Sequence, residues 1–360
     1  MIHVHTGAVH IGTFEFKLAR PLLTVRQTTR SPALIVVALD IFGTNFGKKT
    51  IADDTHMRRA SRVLVCALTR AAATSTAACS SVDGPLPYTL LSKTRTSPDA
   101  WLLRFSLPPS KRFLGEDPTL PTCITVAYPD GTDEAGTPTV LEKSYSPVSH
   151  PALEGVVDLL VKAYVPRPGG GVGSFICNLE IGETMQATLK KKRMVHGSAE
   201  VTRRWRAIGL VGGGTGIAPL IQIARIVLDD PHDLTTVRML SINRHEEDIL
   251  MKAELDAMAA AHPERFQVAY SLTGPVYSGW PGFTGRGSLA MIQSALPPPG
   301  APNGTTMIFV CGTDGFVDTW GGKTGRGPKK ADGSKGPKIQ GPLTGLLAEA
   351  GFHEAEVFKY

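Results

Sequence analysis

Apolar residues fall into three regimes along the chain. Residues 1–56 show no convincing periodicity, and the apolar run 33–39 is too short to span a membrane, which takes about 20 such residues. From Tyr88 the apolar positions come in short alternating stretches closed by turns. Residues 101–107 end at Pro108-Pro109, and residues 123–128 end at Pro129-Asp130-Gly131, a strong turn signal. Further strands are expected at residues 143–149 and 156–164, with a short helix around 175–179. Short strands parted by turns predict an antiparallel barrel, taken here as six-stranded and spanning 86–200. From about residue 201 the pattern changes again. Buried-strand runs at 205–211, 237–242, 266–271 and 307–310 alternate with helical spacing at 217–228, 248–261 and 288–296. That alternation predicts a doubly wound parallel sheet over 201–360, closed by a helix at 343–350 and a strand at 355–358. The fold class is a β barrel followed by an α/β domain.

The second domain is organised around residues 208–220, Ile-Gly-Leu-Val-Gly-Gly-Gly-Thr-Gly-Ile-Ala-Pro-Leu. Ile208, Leu210 and Val211 end a strand. Gly212, Gly213, Gly214 and Gly216 make a turn that a side chain would block. Pro219 falls in the first helical turn, where no backbone donor is missed. A strand, a glycine turn and a helix N-terminus together make an anion site, and a dinucleotide pyrophosphate is the expected occupant. The usual fingerprint wants glycine or alanine three places after Gly214, and Ile217 stands there.

Bulk properties narrow the class without naming it. The chain has 360 residues, room for two domains and additional segments. Cys66, Cys79, Cys123, Cys177 and Cys311 are scattered and form no CxxC pair, so no disulfide framework or metal site is expected. From Met57 the sequence turns rich in arginine, serine and alanine, with no acid between Asp54 and Asp83, the pattern of a mitochondrial presequence. The expectation is that residues 57–85 are a presequence, that 1–56 are an upstream extension or a disordered tail, and that the mature protein is mitochondrial.

The barrel region carries motifs that make a resemblance specific. Lys143-Ser144-Tyr145-Ser146-Pro147-Val148-Ser149 is similar to the Arg-Pro-Tyr-Thr and Pro-x-Ser motif of the NADH–cytochrome b5 reductase family, within the ferredoxin reductase superfamily. Residues 158–164 match that family's flavin-lining strand, and the glycine turn 170–174 matches its FAD phosphate loop. The resemblance covers residues 100–318. It implies that Tyr145 lies against a flavin, that Ser144 and Ser146 bond it, and that Leu160, Lys162 and Tyr164 contact it. Gly171, Val172, Gly173 and Ser174 would hold the FAD phosphates. Lys143 stands where the family has arginine; it supplies charge but not a bidentate fork, which implies weaker FAD binding. On the nucleotide side, Gly213, Gly214, Thr215, Gly216 and Ala218 would meet NADH. Cys311-Gly312 matches the family's Cys-Gly-Pro, with Thr313 in place of proline, and Cys311 would shape the nicotinamide side. Ala218 stands where threonine is frequent. Phe358 or Tyr360 corresponds to the superfamily's terminal aromatic.

Residues 243–250 follow the second parallel strand, where an open sheet meets the adenosine ribose. Asp248 matches an aspartate of the family and repels a 2′-phosphate, favouring NADH, whereas Arg244 would attract one. The residue-level alternative is that His245 to Asp248 cap the next helix with carboxylates. Residues 321–342 hold Lys323, Arg326, Lys329, Lys330, Lys335 and Lys338 against the single acid Asp332, five of the chain's net charge of +6. Such a run is a solvated loop or a device that steers an acidic acceptor. The resulting expectation is hydride transfer from NADH to FAD, then single electrons to cytochrome b5 or a similar small acidic haem protein. Tyr145, Ser146, Lys162 and Cys311 would be the catalytic set. A monomer is expected, without nucleic-acid partners and with peripheral membrane association left open. The alternatives are an NADPH-dependent flavin reductase with a ferredoxin-like or small-molecule acceptor, and a non-catalytic relic of the fold.

Overall fold

The computed structural model describes residues 84–115, 122–132, 136, 138–163, 171–189, 205–300, 305–328, 336 and 338–360. It also describes the backbone of two short antiparallel strands, β1 (Thr13–Phe16) and β2 (Leu23–Arg26), a pairing that the sequence pattern does not signal. The rest of the expected extension and presequence lies outside the described residues, apart from Gly84 and Pro85. Residues 82–360 form one compact unit.

Its first half is a six-stranded antiparallel sheet. The strands are β3 (Leu86–Ser97), β4 (Ala100–Ser106), β5 (Ile124–Thr132), β6 (Pro138–Tyr145), β7 (Val156–Lys162) and β8 (Thr184–Leu189), in the order β6-β5-β8-β3-β4-β7. β3 turns the corner. Its register shifts between Leu90 and Ser92 and again between Arg95 and Ser97, so its start pairs with β8 and its remainder with β4. Such irregularities raise the local twist and let a sheet wrap on itself. The wrap does not close strand to strand: among the described residues β6 and β7 share no ladder. Helix α1 (Val172–Asn178) packs against β5, β6 and β7 and covers that seam. Tyr88, Leu103, Phe105, Leu159, Ile176 and Met185 fill the interior.

The second half is a parallel sheet in the order β12-β11-β10-β9-β13-β16. Its strands are β9 (Ala207–Gly213), β10 (Thr236–Asn243), β11 (Phe266–Leu272), β12 (Phe283–Thr284), β13 (Thr306–Cys311) and β16 (Val357–Lys359). Helices α2 (Ile217–Asp229) and α3 (Lys252–Ala261) are associated with one core, and α4 (Leu289–Ala295), α5 (Asp314–Gly321) and α6 (Gly345–Glu349) with another. The chain moves outward from β9 through β10 and β11, then returns to β13 on the other side. The switch point therefore falls between β9 and β13, where such sheets bind ligands at the strands' carboxyl ends. The basic segment begins and ends in a two-stranded ladder, β14 (Gly325–Arg326) with β15 (Lys338–Ile339). Buried Lys359 ties its base, donating to the carbonyls of Gly321, Gly341 and Pro342 at 3.0, 3.1 and 3.0 Å. Lys329, Lys330 and Lys335 lie outside the described residues.

The two sheets share one core: Ala100, Val148 and Leu160 of the barrel pack with Ile217, Leu220 and Ile221 of α2. At the far end of that contact His150 Nε2 lies 3.0 Å from Asp229. Its Nδ1 accepts the Ala152 N–H at 3.0 Å, so the neutral ring carries its proton on Nε2. Burial, reinforced by nearby Arg225 and opposed by Asp229, pulls the His150 pKa below its ordinary 6.5. The folded chain then binds fewer protons than the unfolded chain below neutrality, so stability is lost as pH falls through that window. His150 is expected to titrate below about 6.5 by NMR. Urea stability should decline from pH 7 to pH 5, with a shallower slope in His150→Asn; titration above the ordinary value would contradict this.

Candidate functional site

The glycines of the turn do different jobs. Gly216 abuts the end of β13: a Cβ there would overlap the Cys311 carbonyl. Gly213 and Gly312 instead receive the ring of Phe316, which would lie 2.9 and 2.5 Å from a Cβ at each position. Gly214 has φ +52° and open space where a side chain would project, so it is the glycine that a ligand can approach. Cys311 pairs with Gly212 in the ladder, directly at the switch point. Thr313, in the place of a proline, caps α5: its hydroxyl accepts the Phe316 N–H at 3.3 Å.

The facing wall comes from the unclosed seam of the barrel. β6 brings Lys143, Ser144 and Tyr145 to it, and β7 brings Leu160 and Lys162. With Ser146, Thr215, Ala218, Pro219 and Cys311 they line a crevice of about 150 Å³. Nine of the residues expected to act together are thus brought together, from both sheets. Tyr145 is only 8% exposed: its ring belongs to the barrel core. Its hydroxyl lies 3.6 Å from where a Cβ on Gly173 would stand. Lys143 Nζ lies over the Tyr145 ring, 5.5 Å from its centre. Ser144 Oγ is 3.1 Å from Thr125 Oγ1. Lys162 pairs with Asp99 at 2.7 Å. Asp99 was not anticipated, because only the register Ala100↔Lys162 brings the β3–β4 turn beside it.

The other predicted residues are not among those lining the crevice. Gly171 is the N-cap of α1, with open space at its Cα and no acid in the helix's first turn. The first-turn N–H groups of residues 172–174 have no partner within the helix, a donor set suited to phosphate. The Val172 side chain is buried in the barrel core. Tyr164 lies outside the described residues. Asp248 is not in the crevice. Its carboxylate is held by His245, 3.2 Å from the backbone N–H and 3.3 Å from Nδ1, in a 3₁₀ turn over Glu246–Asp248. That corrects the expected helix at 248–261. The acids cap this separate turn, Met251 follows with φ 59°, and α3 begins only at Lys252. Of the terminal aromatics, Tyr360 is the more buried and shares a core with Leu160 and Ala218.

Residues 87–189 match the model of the oxidoreductase FAD-binding domain and residues 210–320 that of the oxidoreductase NAD-binding domain. The NADH-cytochrome b5 reductase 2 of Coccidioides immitis is 34% identical over 257 residues, covering 71% of each chain. The NADH-cytochrome b5 reductase-like protein of Arabidopsis thaliana is 31% identical over 279 residues, covering 77% of each. This chain belongs to the NADH–cytochrome b5 reductase family. Of solved structures, the cytochrome b5 reductase domain of Ulva prolifera nitrate reductase has a TM-score of 0.57 at 24% identity, over 77% of this chain and 97% of that one, a likeness of fold.

Membership of this reductase family makes the chain an oxidoreductase with an FAD-binding and an NAD-binding domain. The site fits those cofactors. Among the described residues, the crevice is lined by two lysines and four hydroxyl side chains and no carboxylate, which suits phosphorylated, hydroxyl-rich ligands. It is smaller than the roughly 300 Å³ of a minimal ligand pocket. The dinucleotides would therefore extend past it, toward Gly171 on one side and Gly214 on the other.

The glycine geometry separates two substitutions. Gly216→Ala must push β9 from β13 and should cost about 1–3 kcal/mol in denaturant unfolding. Gly315→Ala adds its methyl to open space on α5 and should be neutral or slightly stabilising. Equal effects from the two would refute the close-approach argument.

Proposed function

We propose that the chain passes hydride from NADH to FAD and then single electrons to cytochrome b5 or a similar small acidic haem protein. The observation that supports this most is the single crevice to which both cofactor domains contribute, from Lys143–Ser146 on one side to Thr215–Pro219 and Cys311 on the other. Bound FAD supplies the redox chemistry, taking two electrons as hydride and releasing them one at a time. The chain's own part is positioning and charge. Tyr145 and Ser146 hold the flavin side, and Lys143 with the α1 start, Gly171–Ser174, balances its phosphates. Tyr164, beyond the described residues, is assigned to the same side by its place in the motif. Lys162, released from Asp99, offers a cation to the ring system or the nucleotide. Gly213, Gly214, Thr215, Gly216 and Ala218 carry the NADH backbone, and Cys311 and Gly312 border the nicotinamide. Asp248 acts near the adenosine ribose by holding the 245–248 turn in place. No side chain is required as a general base.

One observation favours a second reading. Arg244 is exposed at the carboxyl end of β10, where it could take a 2′-phosphate and admit NADPH. Anaerobic mixing of the purified protein separates the two: NADH should bleach the flavin absorbance rapidly and NADPH slowly. Preferential bleaching by NADPH would give Arg244 the selecting role, and a colourless protein that FAD cannot reconstitute would end both readings.

The acceptor side draws on the basic ladder. Lys323, Arg326 and Lys338 border a cavity of about 460 Å³ that Asp314 and Asp318 of α5 also line. The exposed cations of Lys323, Arg326 and Lys338 could attract an acidic protein to this face. Reversing Lys323 and Arg326 to Glu should slow electron delivery to cytochrome b5 at low salt and leave ferricyanide reduction nearly unchanged. Equal loss with both acceptors would refute steering. The acid-poor stretch after Met57 supports delivery to mitochondria, and N-terminal sequencing of the native protein would test it: a mature terminus upstream of residue 50 would refute it.

A further inference from the structure

Hydride transfer needs the nicotinamide and the flavin in contact, yet they are held by different domains. Something must set the spacing between their walls. One stripe of α2 faces the barrel: Ala218, Gln222, Arg225 and Asp229, at the three- and four-residue steps of a single helical face. Ala218 lines the crevice. Arg225 donates to the Val148 carbonyl, and Asp229 meets His150. Between them is Gln222, 1% exposed and set among apolar residues of the shared core.

Both polar atoms of this buried amide are used on the barrel side. Its Oε1 accepts the Thr122 N–H at 2.8 Å. Its Nε2 donates to the Thr122 carbonyl at 3.2 Å and to the Pro147 carbonyl at 2.5 Å. Both partners belong to the strand ends that carry Tyr145. Pro147 follows Ser146, and Thr122 lies just ahead of Ile124, which pairs with Tyr145 across β5 and β6. The same strand ends are held from behind. The Val148 N–H bonds the Asp158 carbonyl at 2.8 Å, the Ser149 hydroxyl accepts the Asp158 N–H at 2.9 Å, and Arg104 grips the Asp158 carboxylate at 2.7 and 2.8 Å. A buried amide tolerates little misplacement, because any shift of α2 leaves desolvated donors and acceptors unpaired.

We propose that Gln222 is a positioning residue for hydride transfer, fixing the helix that follows the dinucleotide turn against the strand ends that carry Tyr145 and Ser146. The proposal rests on the FAD and NADH reading above. Gln222 touches neither cofactor; it acts through Pro147, Thr122 and the start of α2.

The test uses the FAD-loaded full chain and two variants of similar shape. Gln222→Met removes all three hydrogen bonds. Gln222→Glu keeps the acceptor for Thr122 N–H but turns an anion toward two carbonyl oxygens; on protonation it regains one donor. Flavin bleaching at saturating NADH should slow about tenfold to a hundredfold in both at neutral pH, the scale of an ångström-level misplacement. FAD content should be unchanged. The nicotinamide–flavin charge-transfer absorbance, read at equilibrium without turnover, should weaken in step. Relative to wild type at each pH, Gln222→Glu should recover on acidification and Gln222→Met should not. Should the methionine variant fail to fold, the glutamate variant alone carries the test. Wild-type bleaching and charge-transfer absorbance in either folded variant at neutral pH would overturn the proposal, as would FAD loss that accounts for the slower rate. A wild-type protein that NADH cannot bleach would overturn the cofactor reading, and the proposal with it.

Discussion

The close approach of Gly216 to the Cys311 carbonyl is the constraint on which the site depends. Two neighbouring parallel strands end side by side, and the chain leaving one must cross the tip of the other with no room for a side chain. That crossing aims the start of α2 at the barrel. It also leaves Gly214 open on the ligand side and places Thr215, Ala218 and Cys311 on a common wall. A glycine-rich turn is usually explained by the ligand it admits. Here two of its four glycines are required by the protein itself: Gly216 by β13, and Gly213, like Gly312 beyond the turn, by the Phe316 ring.

The barrel supplies a complementary constraint. Six strands that closed fully would pair every edge and leave no opening. Among the described residues β6 and β7 share no ladder with each other, and from these two edges Lys143, Ser144, Tyr145, Leu160 and Lys162 reach one crevice. Helix α1 covers the gap, and no side chain caps its start. Gly173 serves that closure, since a side chain there would crowd the Lys162 carbonyl at 3.0 Å as well as the Tyr145 hydroxyl. The same seam that interrupts the hydrogen-bond ladder therefore supplies the hydroxyl-bearing wall and is covered by the helix start.

Much of this was legible in the sequence, because the signals were local. The period change from alternation to strand–helix blocks separates the two sheets, and the glycine turn at 212–216 marks the switch point. Nine crevice residues follow from motifs read in order along the chain. What escaped depends on register and on tertiary contact. Asp99 meets Lys162 only because β4 pairs with β7 in one register. Phe316 covers Gly213 only because α5 folds back over the strand ends. The acids at 246–248 read as a helix start, yet left-handed Met251 breaks the run and delays α3 to Lys252. Gln222 sits in the apolar run 217–228, and nothing local marks it as the bridge to Thr122 and Pro147.

The departures from the family motif also become intelligible as local chemistry. Thr313 gives up the rigidity of proline and gains an N-cap, holding the α5 start with a hydroxyl rather than a ring. Lys143 gives up a planar fork and gains a compact cation that lies over the Tyr145 ring. A charge held there serves the aromatic wall and remains at the crevice rim, where an anionic group can still reach it. Each exchange replaces a geometric restraint by a contact with a neighbouring element, so the crevice depends more on the packing of α5 and β6 than on the motif residues alone.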